Sequence, residues 1–165
     1  MIFKFLSKNF YINFSIVALI YSLDRLTKIY VIQLDKNNLG SDIFNSAYLN
    51  IVLIWNKGIA FGLLSFNESH LYNILSLLIS IIVVILVIMS LKSQGFKRYS
   101  LLMIVGGALG NLHDRIYFNA VPDFIDFHVG NFHWFIFNVS DIFITLGVIS
   151  MIVLELVDNK TEKTK

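Results

Sequence analysis

The sequence contains no cysteine and only one proline, Pro122. Without cysteine the chain can form no disulfide, use no thiol nucleophile and bind no metal through thiolate ligands. Thiol enzymes and cysteine-ligated metal proteins are therefore excluded as function classes. The cellular compartment has to be inferred from other features of the chain.

Charge is also scarce. Asp, Glu, Lys and Arg make up 15% of the 165 residues, against about 25% in a typical soluble domain. Hydrophobic residues account for 56%, and the mean hydropathy is +0.72. So few charges cannot coat a surface that faces water, and the composition predicts an integral membrane protein. The net charge of +2 is too small to indicate a nucleic-acid partner.

The short motifs of several enzyme classes are missing. The sequence has no Gly-x-Ser-x-Gly elbow, no His-Glu-x-x-His and no Walker loop. Its histidines, which are His70, His113, His128 and His133, have no spacing typical of a metal site, so we expect no metal. Carboxylates are therefore the remaining candidate catalytic groups for hydrolysis within a membrane.

Four apolar segments are long enough to cross a bilayer, which takes about 20 mostly apolar residues. The predicted spans cover residues 11–32, 71–91, 99–116 and 138–157, and the predicted outer loops cover residues 33–70 and 117–137. We therefore predict an all-α membrane protein with four transmembrane helices, forming one domain over residues 1–165.

The distribution of Lys and Arg predicts the orientation, because short cytoplasmic loops are enriched in them. They cluster before the first span, between the second and third, and after the fourth, at Lys4, Lys8, Lys92, Lys97, Arg98, Lys160, Lys163 and Lys165. The opposite side has only Lys36 and Lys57 in its loops. Both termini are thus predicted to be cytoplasmic. The charged ends of the first and third spans then lie at the outer face, as does Asp141, which predicts a shared polar site there.

The first outer loop is too long to be a plain connection. Residues 48–55 are rich in β-branched and aromatic side chains and predict a strand. Asn56, Lys57 and Gly58 form a turn signal, and residues 59–64 are apolar again. We expect a small sheet or cradle that rests on the outer leaflet.

Asp123 and Asp141 are the best candidates for a catalytic pair. Asp123 follows Pro122 in the last outer loop, and Asp141 begins the fourth span. Two carboxylates at one water–lipid boundary can share a proton, so that one acts as acid and the other as base. The alternatives are a helix N-terminal residue for Asp141 and an ordinary loop acid for Asp123. Asp126 and Asp114 also compete for a catalytic role.

The end of the third span carries a second candidate group. Gly107, Asn111, Asp114 and Arg115 share one helical face by their spacing. The glycines favour close helix packing, with Arg115 reaching out to the interface. A buried Asn111 needs partners, however, which favours a role for Asn111 and Arg115 in lining a site.

Four more polar residues have both a structural and a functional interpretation. Asp24 and Lys28 are four residues apart, which favours an ion pair at the membrane boundary. Asn56 lies in the turn signal of the first outer loop, which favours its interpretation as an ordinary turn residue. Asn138, three residues before Asp141, could cap the fourth helix or bind substrate.

Five blocks along the chain resemble the lipoprotein signal peptidase family, also called signal peptidase II, an intramembrane aspartyl peptidase of bacteria. The blocks are Asp24-Arg25-Leu26-Thr27-Lys28, Asn56-Lys57-Gly58-Ile59-Ala60-Phe61, the segment from Gly106 to Arg115, Val121-Pro122-Asp123-Phe124-Ile125-Asp126-Phe127, and Phe137-Asn138-Val139-Ser140-Asp141. They occur in order over essentially the whole chain. Ser140 stands where this family usually has alanine.

The resemblance implies specific roles and a specific fold. Asp123 and Asp141 match the catalytic pair of the family. The supporting polar residues match Asp24, Lys28, Asn56, Asn111, Asp114, Arg115 and Asn138. The implied fold has four transmembrane helices, a small extracytoplasmic β-cradle and a short outer helix.

The resemblance also implies a substrate and partners. The expected substrate is a prolipoprotein with a diacylglyceryl-modified cysteine, cut just before that cysteine, without a metal or organic cofactor. Membrane lipid and inhibitors of the globomycin type are the other expected partners, and a monomer is expected. The implied location is the bacterial cytoplasmic (inner) membrane, with the active site near the outer face.

Two other function classes are compatible with buried acids and amides. A proton-coupled transporter or channel subunit would need polar residues along a path through the membrane, yet the second span has no charged residue and the first half of the third is apolar. In a non-enzymatic membrane scaffold, the outer polar cluster would serve packing. Cleavage of a lipidated precursor by purified protein would separate the peptidase from both.

Overall fold

A computed structural model describes residues 8–37, 43–58 and 69–163. These residues form four helices and three strands. In chain order the elements are α1 (Lys8–Asn37), β1 (Leu49–Asn56), α2 (Ser69–Lys92), α3 (Gly95–Phe118), β2 (Val121–Val129), β3 (Phe132–Phe137) and α4 (Val139–Lys163). All four predicted spans coincide with helices, each of which extends beyond the predicted bounds at one or both ends.

Helix α3 is the central element, and it packs against α1, α2 and α4. Its glycines allow this close packing. A Cβ atom at Gly106 would lie 2.9 Å from Ile20 of α1, and one at Gly107 would lie 2.5 Å from the backbone oxygen of Ser140 in α4. The interpretation of these glycines as positions of close helix approach is confirmed.

Two helices have the length and composition of membrane spans, over Leu71–Lys92 of α2 and Val139–Asp158 of α4. Both are apolar and only 11% buried over their most hydrophobic stretch, so they present apolar side chains outward. Helices α1 and α3 are at least as long as α2, but each carries buried charged residues in its C-terminal half, namely Asp24 and Lys28 in α1 and Asp114 and Arg115 in α3.

A three-stranded antiparallel sheet, in the order β1-β2-β3, lies beside the helices. The predicted strand at residues 48–55 is confirmed as β1. No strand was predicted within the outer loop at residues 117–137, yet this segment supplies the other two strands. The missed signal is Gly130-Asn131, a two-residue hairpin turn; Gly130 has φ 59°, as a type II′ turn requires at its first central position.

Parts of the first outer loop lie outside the described residues. The apolar segment 59–64, expected to complete the cradle, is among them. Within the described ranges every helix is one of α1 to α4, and the expected short outer helix has no counterpart there.

The ends of several elements meet at one place. Helix α3 ends at Phe118, and Asn119 adopts a left-handed conformation (φ 54°) before the chain enters β2. Asn56, the last residue of β1, pairs with Val121 at the start of β2. Only Asn138 separates β3 from α4. The C-terminal end of α3, the start of β2 and the start of α4 therefore bring their side chains together.

Candidate active site

Four charged side chains of α1 and α3 form a buried network. Lys28 Nζ lies 2.9 Å from Asp24 Oδ1 and 2.7 Å from Asp114 Oδ2. Arg25 Nη2 donates to Asp24 at 3.0 Å and to Asp114 at 2.8 Å. Asp24, Lys28 and Asp114 are fully buried. The two negative charges of this network are matched by two positive charges, and buried ionised groups require such pairing. The predicted Asp24–Lys28 ion pair is confirmed as part of this larger network.

Asn111 connects this network to Asp141. Lys28 Nζ donates to Asn111 Oδ1 at 2.8 Å, and Asn111 Nδ2 donates to Asp141 Oδ1 at 2.8 Å. A lysine can only donate hydrogen bonds, so it determines which end of the amide faces it. The Asn111 NH₂ group must therefore point to the carboxylate.

Asp141 and Asn138 form a reciprocal cap at the start of α4. The Asp141 backbone N–H donates to Asn138 Oδ1 at 3.1 Å, and the Asn138 backbone N–H donates to Asp141 Oδ2 at 3.1 Å. This is the capping-box arrangement, with aspartate in place of the usual Glu or Gln. The capping interpretation of Asn138 is confirmed.

Asp123 lies on β2 and receives two amide hydrogen bonds. Asn138 Nδ2 donates to its Oδ1 at 2.6 Å, and Asn56 Nδ2 donates to its Oδ2 at 2.8 Å. Asn56 is itself positioned by the Gly58 backbone N–H, which donates to its Oδ1 at 2.8 Å. One side chain, Asn138, thus contacts both Asp123 and Asp141.

The environment of Asp123 changes its acidity. Its side chain is only 3% exposed. Burial, followed by the nearby Asp141 carboxylate, raises the pKa of Asp123 to about 6, while the hydrogen bonds from Asn56 and Asn138 act in the opposite direction. Asp141 is only half-buried. The two acids therefore interact electrostatically, and the Asp141 residue has the larger exposed surface of the two.

Arg115 holds the backbone around the site. It is 6% exposed, so the alternative of an arginine reaching out to the interface is wrong. Its Nη2 donates to the Gly58 backbone oxygen at 2.8 Å, and its Nη1 donates to the Asn111 backbone oxygen at 3.2 Å. The guanidinium thereby attaches the end of β1 to α3.

The two competing acids lie in other surroundings. Asp114 belongs to the charged network with Lys28 and Arg25. Asp126 accepts hydrogen bonds from His133 Nδ1 at 2.8 Å and Asn50 Nδ2 at 3.3 Å, farther along the sheet. Among the described residues, neither acid forms a hydrogen bond with Asn138.

Sequence reasoning missed two participants. Arg25 joins the buried network although only its neighbours Asp24 and Lys28 were singled out. The Ser140 backbone N–H donates to Asp24 Oδ1 at 3.0 Å, which links α4 directly to α1. The adjacency of Arg25 to Asp24 was a usable signal, whereas a backbone donor leaves no trace in residue type.

The site contains no metal-ligating arrangement: among the described residues, no group of three or more His, Asp or Glu side chains is placed to hold a metal ion. Its chemical groups are two interacting carboxylates, three amides and a balanced ion network. Such a set can move protons and orient a carbonyl.

Comparison with known proteins gives one consistent result. The family profile described as signal peptidase (SPase) II matches residues 16–157. The lipoprotein signal peptidase of Pelagibacter ubique (strain HTCC1062) is 49% identical over 152 residues, covering 92% of each chain. That of Anaplasma phagocytophilum (strain HZ) is 40% identical over 146 residues, covering 88% of this chain and 92% of the relative. A bacterial membrane enzyme solved by the in meso method at 2.3 Å resolution is 27% identical, with a TM-score of 0.72 and coverage of 93% of this chain and 92% of that one.

Proposed function

Because this chain belongs to the signal peptidase II family, a family of proteases, we propose that it removes the signal peptide from prolipoproteins, with Asp123 and Asp141 as its catalytic pair. The observation that carries the catalytic assignment is the double contact of Asn138. Its side chain donates to Asp123 at 2.6 Å and caps α4 beside Asp141. One residue thereby sets the relative position of two carboxylates from different elements.

The proposed reaction is hydrolysis of one peptide bond. Asp141, the more accessible acid, takes a proton from a water molecule as the water oxygen bonds to the scissile carbonyl carbon. Asp123 carries the proton shared by the pair and gives it to the leaving nitrogen as the C–N bond breaks. The products are a carboxylic acid and an amine. The pKa of Asp123, raised to about 6 by burial and by Asp141, supports a carboxyl that holds a proton near neutral pH.

The supporting residues keep the pair in place. Lys28 orients Asn111, which donates to Asp141. Asn56 donates to Asp123, and Arg115 secures the neighbouring Gly58 carbonyl. Asp24 and Asp114 balance Lys28, and Gly107 lets α4 approach α3 closely enough for the Asn111–Asp141 contact.

We propose that all four helices cross the membrane within a single domain. The charges of α1 and α3 that argue against spanning are buried inside the bundle, where they neutralise one another. The outward side of α1 is apolar instead, with Leu19, Leu26 and Ile29 each more than half exposed. Both termini then lie in the cytoplasm, and the carboxylate pair lies near the outer face of the cytoplasmic membrane.

The proposed substrate carries a diacylglyceryl group on the cysteine that follows the cleaved bond. The lipid anchor would hold the peptide bond before the modified cysteine near the outer membrane boundary. This is also the proposed depth of the carboxylate pair. Membrane lipid surrounds the enzyme, which acts as a monomer. Inhibitors of the globomycin type compete with the substrate for the site.

The test is cleavage of a lipidated precursor by purified protein in detergent, with and without globomycin. Asp123→Asn and Asp141→Asn should each remain folded and lose activity, and Asp126→Asn is the matched control for a carboxylate on the same strand. Substantial cleavage by either of the first two variants would contradict the catalytic assignment. Wild-type protein that cleaves no lipidated precursor would contradict the proposed function itself.

A further inference from the structure

A cavity lies at the end of the bundle opposite the carboxylate pair. It is an open groove with a volume of about 460 Å³, lined by the start of α1, the end of α2 and the first half of α3. That volume falls within the range of about 300–1,000 Å³ typical of ligand pockets. It is lined by Ser90 of α2, whose hydroxyl donates to the Val87 backbone oxygen, and by three further polar residues, Asn9, Asn13 and Arg98, from the ends of α1 and α3 that we assign to the cytoplasmic side. The catalytic machinery contributes no residue to it.

The rest of the cavity is apolar and continues along the bundle. Val17 and Leu109 line both this cavity and a second one of about 450 Å³ farther along α1 and α3. From Arg98 to Leu109 the helix rises by about 16 Å. This matches one leaflet, which is half of the ~30 Å hydrocarbon core. A charged mouth with an apolar groove of this length fits an amphiphile of one leaflet.

The positive charge of Arg98 at the cytoplasmic end of the groove restricts which molecules can bind there. Arg98 is half-buried, and its Nε donates to the Ser93 backbone oxygen at 2.7 Å. In the part of the chain that the structure describes, no acidic side chain forms an ion pair with this guanidinium. Phosphate groups are the usual partner of such an arginine, through paired hydrogen bonds.

We propose that this groove is a binding site for one anionic phospholipid of the cytoplasmic leaflet. The phosphate contacts Arg98 and the amides of Asn9 and Asn13, and an acyl chain lies along Val17 and Leu109. Basic pockets between helices on the cytoplasmic side are suited to anionic lipid headgroups. A signal peptide is a poor occupant, because its basic n-region would meet Arg98 with like charge.

The neighbouring residue provides a matched control. Lys97 carries the same charge but lines a different cavity, on the α4 side, together with Glu155 and Asp158. Arg98→Gln and Lys97→Gln therefore remove the same net charge one residue apart. Only the first should affect the groove. Val17→Trp should fill the apolar part and leave Arg98 intact.

The experiment is native mass spectrometry of the full-length protein with phosphatidylglycerol or phosphatidylcholine of identical acyl chains. Wild type and Lys97→Gln should retain one phosphatidylglycerol molecule in preference to phosphatidylcholine. Arg98→Gln should retain it about five-fold less well, and Val17→Trp should lose both lipids. Equal retention of the two lipids by wild type, or unchanged retention by Arg98→Gln, would overturn the proposal. So would displacement of the lipid by millimolar inorganic phosphate, which would indicate a small-anion site. The readout is lipid retention and does not depend on peptidase activity.

Discussion

At the scale of single residues, the site holds its two carboxylates with neutral amides. Asn56 and Asn138 donate to Asp123, and Asn111 donates to Asp141. An amide positions a carboxylate without supplying a full charge, whereas a cation in contact with Asp123 would lower the pKa of its carboxyl strongly. Lys28 acts through Asn111 instead. This arrangement suits the proposed sharing of a proton between Asp123 and Asp141.

The pH profile tests the role of Asn56. Its hydrogen bond favours ionised Asp123, so Asn56→Ala should raise the pKa of Asp123 further above its ordinary value. The proton that the pair shares would then be lost at higher pH. We expect the alkaline limb of kcat/KM to move to higher pH, by about one unit.

The matched control for this change is Asn50→Ala on the same strand, because Asn50 donates to Asp126 and not to Asp123. In Asn50→Ala the alkaline limb of kcat/KM should stay at its wild-type pH. A limb that moves to lower pH in Asn56→Ala would contradict the proposed protonation of Asp123.

Removal of Lys28 tests the buried ion network. Lys28→Met leaves Asp24 and Asp114, both fully buried, with Arg25 as their one remaining cation among the described contacts. We expect the free energy of unfolding to fall by about 3–5 kcal/mol. Thermal unfolding in detergent measures the loss. Lys57→Met, at an exposed position, should change stability by less than about 0.5 kcal/mol. Equal effects of the two would show that the network contributes little.

At the scale of elements, the start of α4 combines a structural and a chemical task. Asn138 caps the helix through its Oδ1 atom and holds Asp123 through its Nδ2 atom. The cap needs only an acceptor, which serine also provides. The hydrogen bond to Asp123 needs a donor at the end of a side chain longer than that of serine.

This difference allows the two tasks to be separated. Asn138→Ala should cost about 1 kcal/mol of stability, as expected for a lost helix cap. Asn138→Ser should keep most of that stability. Activity should fall by about 100-fold in both variants, because Asp123 loses the contact that positions it.

Thermal unfolding and cleavage rates, measured on the same preparations, check these expectations. If the serine variant cleaved substrate at the wild-type rate, the Asn138–Asp123 contact would have no catalytic importance. If it were as unstable as the alanine variant, the cap would not be the main structural contribution.

At the scale of the whole molecule, polar groups lie inside the bundle and apolar groups lie outside. Asp24, Lys28 and Asp114 of α1 and α3 are buried together, while α2 and α4 present apolar side chains outward. This inversion is expected where lipid surrounds the helices. It supports the proposed four spans. In the proposed orientation, Lys57 lies on the outer side and Lys97 on the cytoplasmic side.

The absence of cysteine makes this topology easy to test, since a single introduced cysteine is the only thiol. Lys57→Cys should react with a membrane-impermeant maleimide added to spheroplasts. Lys97→Cys should react only after the membrane is permeabilised. Both positions are exposed, so burial does not separate them. Labelling with the opposite preference would reverse the proposed orientation.

Much of the fold was predictable because it depends on local composition. Long apolar runs predicted all four helices, and β-branched residues predicted β1. The second strand was missed because its polar residues Asp123 and Asp126 obscured the alternation. The third was missed with it, although Gly130-Asn131 marked the hairpin turn between the two.

The sequence alone determined that the chain is a membrane protein and which of its residues are candidates for catalysis. Through five motif blocks, it also determined which family the chain resembles. These properties follow from residue types and their order. Only the tertiary structure decided that Asn138 reaches from the start of α4 to the Asp123 carboxylate, that Arg25 completes the ion network and that Arg115 holds Gly58. Such contacts join residues that are far apart in the chain, and they form only when α3 packs against its neighbours and the sheet closes beside it.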